Sequence, residues 1–153
     1  MDKLGKKGMD RSSGYIGIIS AYETSPFCMT RLHMQAAGMD DKKEIPLGYS
    51  FDESDVDIVD DTQVLSIVPE EPTTINFLDE VEDIVTGFKG KVASKLVYAN
   101  GCVRWVVHPP YKGEKDYDKY QILANKRLKI IRANKEPVNS PKTGGPIERS
   151  YPR

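Results

Sequence analysis

Part of this chain occurs twice, and that repetition limits what it can fold into more than any other feature. Ser13-Gly14-Tyr15-Ile16-Gly17-Ile18-Ile19 matches Thr86-Gly87-Phe88-Lys89-Gly90-Lys91-Val92 at a shift of 73 residues. The same shift, without a gap, pairs Asp10 with Asp83, Gly14 with Gly87, Tyr15 with Phe88, Gly17 with Gly90 and Arg31 with Arg104. Cys28 and Cys102 are offset by 74, and Val56-Asp57-Ile58-Val59 matches Leu128-Lys129-Ile130-Ile131 at 72, small changes of the kind surface connections absorb. The chain of 153 residues therefore reads as two related units. A unit of about 60 residues buries only about 60% of its extended-chain surface, so two of them gain by packing together or onto a partner.

Each unit reads as short strands between glycine-rich or polar turns. In the first, Tyr15 to Ala21 and Met29 to Gln35 are expected strands, and Val64 to Val68 is expected to extend the pairing that follows Asp55 to Val59. In the second, the counterparts are Phe88 to Val92, Val103 to His108 and Leu128 to Arg132, with Leu96 to Tyr98 as a further short strand. Alternation is imperfect in Val103-Arg104-Trp105-Val106-Val107, but β-branched and aromatic enrichment favours strand over helix. A compact barrel is the simplest way to close such a unit.

Gly14, Gly17, Gly87 and Gly90 read as structural turns and close-packing points rather than nucleotide loops. Neither pair has the Lys-Ser/Thr of a phosphate loop or the third glycine of a dinucleotide fingerprint. The boundary between units falls at Pro69-Glu70-Glu71-Pro72-Thr73-Thr74-Ile75, where proline interrupts pairing and the glutamates favour solvent. The expected organisation is a first domain at 1–68, a linker at 69–76, a second domain at 77–134 and an extended tail at 135–153. The tail is rich in Pro, Gly and polar residues and has little apolar surface to offset chain entropy, so it reads as a polar tail or a partner-binding arm.

Charge is segregated along the chain although the net charge is only −1. The balances are +2 over residues 1–38, −9 over 39–72, zero over 73–111 and +6 over 112–153, a polarity suited to oriented association. Lys126, Arg127, Lys129 and Arg132 form the centre of a basic stretch enlarged by Lys112, Lys115 and Lys119. Tyr111, Tyr117 and Tyr120 lie nearby as stacking groups, so nucleic-acid contact stays open beside protein contact. Arg31 and Arg104 recur beside expected core strands and suit either a carboxylate bridge or a partner surface. Tyr15, Phe88 and Trp105 read as core or inter-unit packing.

Catalytic and metal-binding patterns do not assemble. The acidic run Asp52-Glu53-Ser54-Asp55, continued by Asp57, Asp60 and Asp61, lacks the glycine and terminal glutamate of a calcium loop, and the second unit has Asn125-Lys126-Arg127 there. It reads as a solvated loop or docking surface. His33 and His108 have no recognisable nucleophile and orienter, and Ser13, Ser20 and Cys102 do not supply them. Cys28 and Cys102 lack zinc-ligand spacing and are expected to be reduced. No catalytic residue, cofactor or metal is expected. No apolar run reaches membrane-spanning length, and Met1 to Arg11 lacks the apolar stretch of a secretory signal, so a cytoplasmic site or a particle assembled there is expected.

The residues Asp83-x-x-Thr86-Gly87-Phe88-Lys89-Gly90-x-Val92 and Tyr98-x-x-Gly101-Cys102-x-Arg104-x-x-Val107-x-Pro109, with the divergent first copy ending in Ser50-Phe51-Asp52-Glu53-Ser54-Asp55-Val56, resemble small phage or prophage proteins of SH3-like type. The resemblance covers roughly residues 4–68 and 77–132. It implies a mainly β chain of two small SH3-like barrels with an extended C-terminal tail. It further implies a non-enzymatic virion protein that stabilises capsid, neck or tail contacts in multiple copies, with phage structural proteins as partners and no membrane insertion. The alternative is an intracellular nucleic-acid-binding adaptor acting through residues 111–132.

Overall fold

A computed structural model describes residues 1–113 and 119–138. Among these residues the chain is mainly antiparallel β. The first unit contributes β1 (Lys7–Asp10), β2 (Ile16–Ser25), β3 (Cys28–Ala36), β4 (Tyr49–Asp52) and β5 (Val56–Asp60), with a 3-10 turn at Glu53–Asp55 leading into β5. The second contributes β6 (Glu80–Asp83), β7 (Lys89–Tyr98), β8 (Val103–His108), β9 (Gln121–Ala124) and β10 (Leu128–Arg132), with a 3-10 turn at Asn125–Arg127. Connectivity is the same in both: β5-β1-β2-β3-β4 and β10-β6-β7-β8-β9.

The long strands exceed their sequence expectations because each is bulged at the same repeat position. The pairing of β2 with β3 shifts register between Ile19 and Ala21, and that of β7 with β8 shifts between Val92 and Ser94. A bulge adds an unpaired residue and bends the strand. It also breaks the period-two pattern, which is why Phe88 to Val92 and Leu96 to Tyr98 read as separate strands where Lys89–Tyr98 is one. After the bend, the edge of β2 that paired with β1 over Ile16–Ile18 pairs with β7 instead.

That junction is self-complementary. Glu23 lies opposite Leu96, its own counterpart one repeat later, and Tyr22 and Thr24 face Val97 and Lys95 on either side. Equivalent segments thus meet about a local two-fold axis, the isologous geometry of a symmetric dimer carried inside one chain. The result is one ten-stranded sheet with β5 and β10 at opposite ends of its main path. It does not close. Neither β4 with β5 nor β9 with β10 forms a ladder, since a 3-10 turn intervenes in each case, so closure of each unit by continuous strand pairing is not observed.

Two apolar clusters fill the units. The first holds Leu4, Ile19, Leu32, Met34 and Val56; the second holds Val81, Val92, Val97, Val103, Trp105, Val107 and Leu123. Tyr22 packs against both clusters, and Ala99 from the second half is buried in the first, so the cores are coupled across the junction. Beyond the expected set, β1, β4, β6 and β9 are strands of only four residues each, ranging from the acidic Glu80–Asp83 to the uncharged Gln121–Ala124.

Val64 to Val68, expected as strand, forms none. Val64 and Leu65 donate their N–H groups to the Gly5 carbonyl at 2.9 and 3.1 Å, and Val68 donates to that of Ala99 at 2.8 Å. Turn carbonyls satisfy this backbone in place of a ladder, and the valine side chains stay exposed. The strap continues through the linker. The Glu71 N–H donates to the Gly101 carbonyl, its carboxylate accepts from the Val103 N–H at 2.6 Å, and Glu70 pairs with Lys95. Both glutamates therefore anchor the linker to the second unit. In the tail, residues 135–138 form no regular element, and 139–153 lie outside the described residues.

The repeated glycines divide into two kinds. Gly14 and Gly87 adopt φ of +75° and +79° in the turns after β1 and β6. Gly17 and Gly90 let neighbouring backbones touch: a Cβ would stand 2.5 Å from the Gln35 carbonyl oxygen and 2.2 Å from that of His108. Gly90→Ala is expected to part β7 from β8 and destabilise the fold by about 1–3 kcal/mol, the usual cost of overpacking. Gly87→Ala, with open space around its Cβ, carries only the backbone cost of about 1–2 kcal/mol. Urea denaturation of the two variants checks the ordering, and an unchanged midpoint for Gly90→Ala counts against the close approach.

Candidate interaction surfaces

Both β-turns of the repeat are organised by a buried aspartate, Asp10 in the first unit and Asp83 in the second. Asp10 accepts hydrogen bonds from the N–H and hydroxyl of Ser13 at 2.8 and 2.6 Å. Asp83 accepts from the Thr86 hydroxyl and N–H and from the Val85 N–H. The signal for this pair is Asp-x-x-Ser/Thr-Gly, an acceptor followed three residues later by a donor and then by a residue able to take positive φ.

Arg127 completes the second hub. Its Nε and terminal nitrogen donate to the two Asp83 carboxylate oxygens at 3.0 and 2.7 Å. The Arg127 hydrogen bond, followed by that of Thr86, holds the Asp83 carboxyl far below the ordinary carboxylate range and raises the guanidinium in turn. Ser13 lowers Asp10 in the same manner, less strongly. In the first unit the position of Arg127 is held by Asp55, and no such fork forms. Arg11 instead donates to the Ser54 carbonyl and lies 3.6 Å from Asp57.

The two recurring arginines do different things. Arg31 donates to the Ser50 carbonyl at 3.0 Å and lies 3.7 Å from Asp52, its cross-strand neighbour on β4. Arg104 faces Ala124 at the matching place on β9, and its guanidinium sits 5.5 Å from the Tyr98 ring centre. A carboxylate bridge is thus present in one unit and replaced by ring stacking in the other.

The basic residues of the second unit are also divided. Arg127 is engaged with Asp83, and Arg132 lies 4.0 Å from Glu80. Lys126 and Lys129 are exposed on the 3-10 turn and on β10. Lys115 and Tyr117 lie outside the described residues, while Tyr111 is exposed and the Tyr120 ring lies 5.4 Å from that of His108.

Two hollows border these groups. One of about 590 Å³ is lined by Asp83, Thr86, Phe88, Leu123 and Arg127. Another, of about 490 Å³, is lined by Glu80, Lys91, His108, Pro110 and Tyr111. On the first unit, Tyr15 packs edge-on to Tyr49 at 5.3 Å and lies 5.4 Å from Phe51.

The histidines have different neighbours. His33 Nε2 lies 3.2 Å from a Glu23 carboxylate oxygen near the junction of the units, and this contact lowers Glu23. Cys28 and Cys102 are exposed free thiols. Among the described residues, no three His, Cys, Asp or Glu side chains are grouped to hold a metal ion, and no helix is long and apolar enough to cross a membrane.

The outer strands β5 and β10 carry the strongest electrostatic contrast. Residues 52–61 contain six acidic groups and no basic one, whereas the matching residues 124–133 contain four basic groups and no acidic one. The apolar positions stay the same: Val56, Ile58 and Val59 correspond to Leu128, Ile130 and Ile131. Comparison with protein-family models, curated proteins and solved structures found no match to this chain.

Proposed function

We propose that this chain is a non-enzymatic structural protein of a phage particle, built from two SH3-like units, that stabilises capsid, neck or tail through protein–protein contacts. One observation carries the reading. Two copies of a five-strand unit are fused about a local dyad, so that their outer strands lie at opposite ends and present opposite charge. Such a chain is a two-ended adaptor. The shared connectivity and the 3-10 turn before the last strand of each unit support the SH3-like assignment.

In a particle, the rims offer charged loops to neighbouring subunits, and many copies convert individually weak contacts into stable attachment through effective concentration. The test is quantitative mass spectrometry of gradient-purified particles of the phage that encodes the chain, after a high-salt wash and nuclease treatment. Near-stoichiometric recovery is expected. Persistent absence overturns the particle assignment. Selective loss with nuclease transfers the role to a nucleic-acid adaptor acting through the exposed Lys126 and Lys129.

A further inference from the structure

The two ends of the sheet complement each other. β5 and β10 terminate its main path, and among the described residues each is paired on one edge only, to β1 and β6 respectively. An outer edge with unpaired backbone groups is a template for a further strand; on β5 the Val56 carbonyl accepts from the Lys3 ammonium at 3.0 Å, so that template begins past Val56. Both carry partly exposed apolar residues there: Val59 is 45% and Ile131 46% accessible. Their charges are opposite at matching positions, Asp57 against Lys129 and Asp60 against Arg132.

We propose that copies of this chain associate head to tail, the acidic β5 edge of one against the basic β10 edge of the next. In an antiparallel register Asp57 falls opposite Arg132 and Asp60 opposite Lys129, with Ile58 and Val59 against Ile131 and Ile130. All four charges are matched in one alignment, in which Asp57 and Arg132 share or exchange their partners within the chain, Arg11 at 3.6 Å and Glu80 at 4.0 Å. Like-with-like docking, β5 on β5 or β10 on β10, places the same signs together and is disfavoured.

Because the β5 and β10 edges differ, the contact is heterologous. Repetition of such a contact makes a ring if the rotation closes and a filament if it does not. The internal dyad joins the halves of one chain, and the charged edges join chain to chain. The inference rests on the two-ended adaptor reading but not on residence in a particle.

The test uses the full chain, nuclease-treated, in sedimentation velocity over a concentration series. At about 50 mM salt the mass is expected to rise with concentration. At about 1 M salt, where the screening length falls to about 3 Å, it is expected to return to that of one chain. The variants Asp57→Lys/Asp60→Arg and Lys129→Asp/Arg132→Asp place in each strand the side chains its counterpart already carries, and circular dichroism verifies that both remain folded.

Each variant alone is expected to dissociate more than about tenfold more readily. An equimolar mixture of the two is expected to recover association, since an acidic end again meets a basic one. A wild-type chain that stays single at low salt overturns the proposal. So does association that both charge reversals leave intact, or that vanishes on nuclease treatment. A chain that stays single in solution yet is stoichiometric in particles removes this inference and leaves the structural role standing.

Discussion

Trp105→Ala is expected to destabilise the protein by about 3–5 kcal/mol, the range for removing a buried large aromatic side chain. Trp105 is 2% exposed at the centre of the second core, with Phe77 edge-on at 5.9 Å and the Lys95 ammonium 5.7 Å from its ring centre. Its indole N–H donates to the Asn125 side-chain oxygen at 3.0 Å. That oxygen also accepts from the Thr73 hydroxyl at 2.7 Å, while the Asn125 amide donates to the Pro72 carbonyl.

One side chain therefore holds both the core and the linker that crosses it. Urea denaturation followed by circular dichroism measures the loss. Limited proteolysis is expected to cut the variant first between residues 69 and 76. Trp105→Phe keeps most of the ring volume and gives up the hydrogen bond, so it is expected to cost less than the alanine variant. Equal losses for the two make the Asn125 contact, rather than packing, the dominant contribution.

Asp83→Asn is expected to destabilise the fold at neutral pH and to flatten its acid limb. The wild-type carboxylate receives the Arg127 fork and the Thr86 donors, which favour its charged form. Its folded pKa lies below the unfolded value of about 3.9, so its contribution is complete above that value and declines as pH falls toward the lowered one.

The stability difference between wild type and variant should therefore shrink on acidification from about pH 5 to about pH 2. Asp10, Glu23 and Asp60 are lowered as well, and subtraction of the two profiles isolates Asp83 from them. Asp10 accepts from Ser13 and has no arginine fork, so Asp10→Asn is expected to show the smaller loss. A pH-independent difference for Asp83→Asn argues against the ion pair as the source of its stability.

Much of the fold was legible in local patterns. Val103–His108 and Leu128–Arg132 have the observed bounds, because β-branched and aromatic residues cluster there between clear turns. The glycine pairs marked both the turn after the first strand and the point where backbones touch. The four-residue strands were not legible. Lys7–Asp10 and Glu80–Asp83 have little propensity of their own and become strands because a neighbour pairs along each edge.

Among the interaction residues, Arg127 turned out to be committed to Asp83, a partner 44 positions away. No local pattern connects the two. Arg31 and Arg104 share a repeat position but not a partner, since Asp52 in one unit is Ala124 in the other.

The duplication, the glycine turns and the opposite charge of the two matching segments were readable from the chain alone. These follow from side-chain chemistry and period. That β2 pairs with β7 about a local dyad, that the sheet stays open, and that the acidic and basic strands stand at opposite ends emerges from the fold in three dimensions. Alternation specifies which face of a strand is buried. Which strand lies beside it is set by backbone hydrogen bonding that every residue but proline offers alike, and the packing of Tyr22 and Ala99 across the junction adds contacts to that pairing.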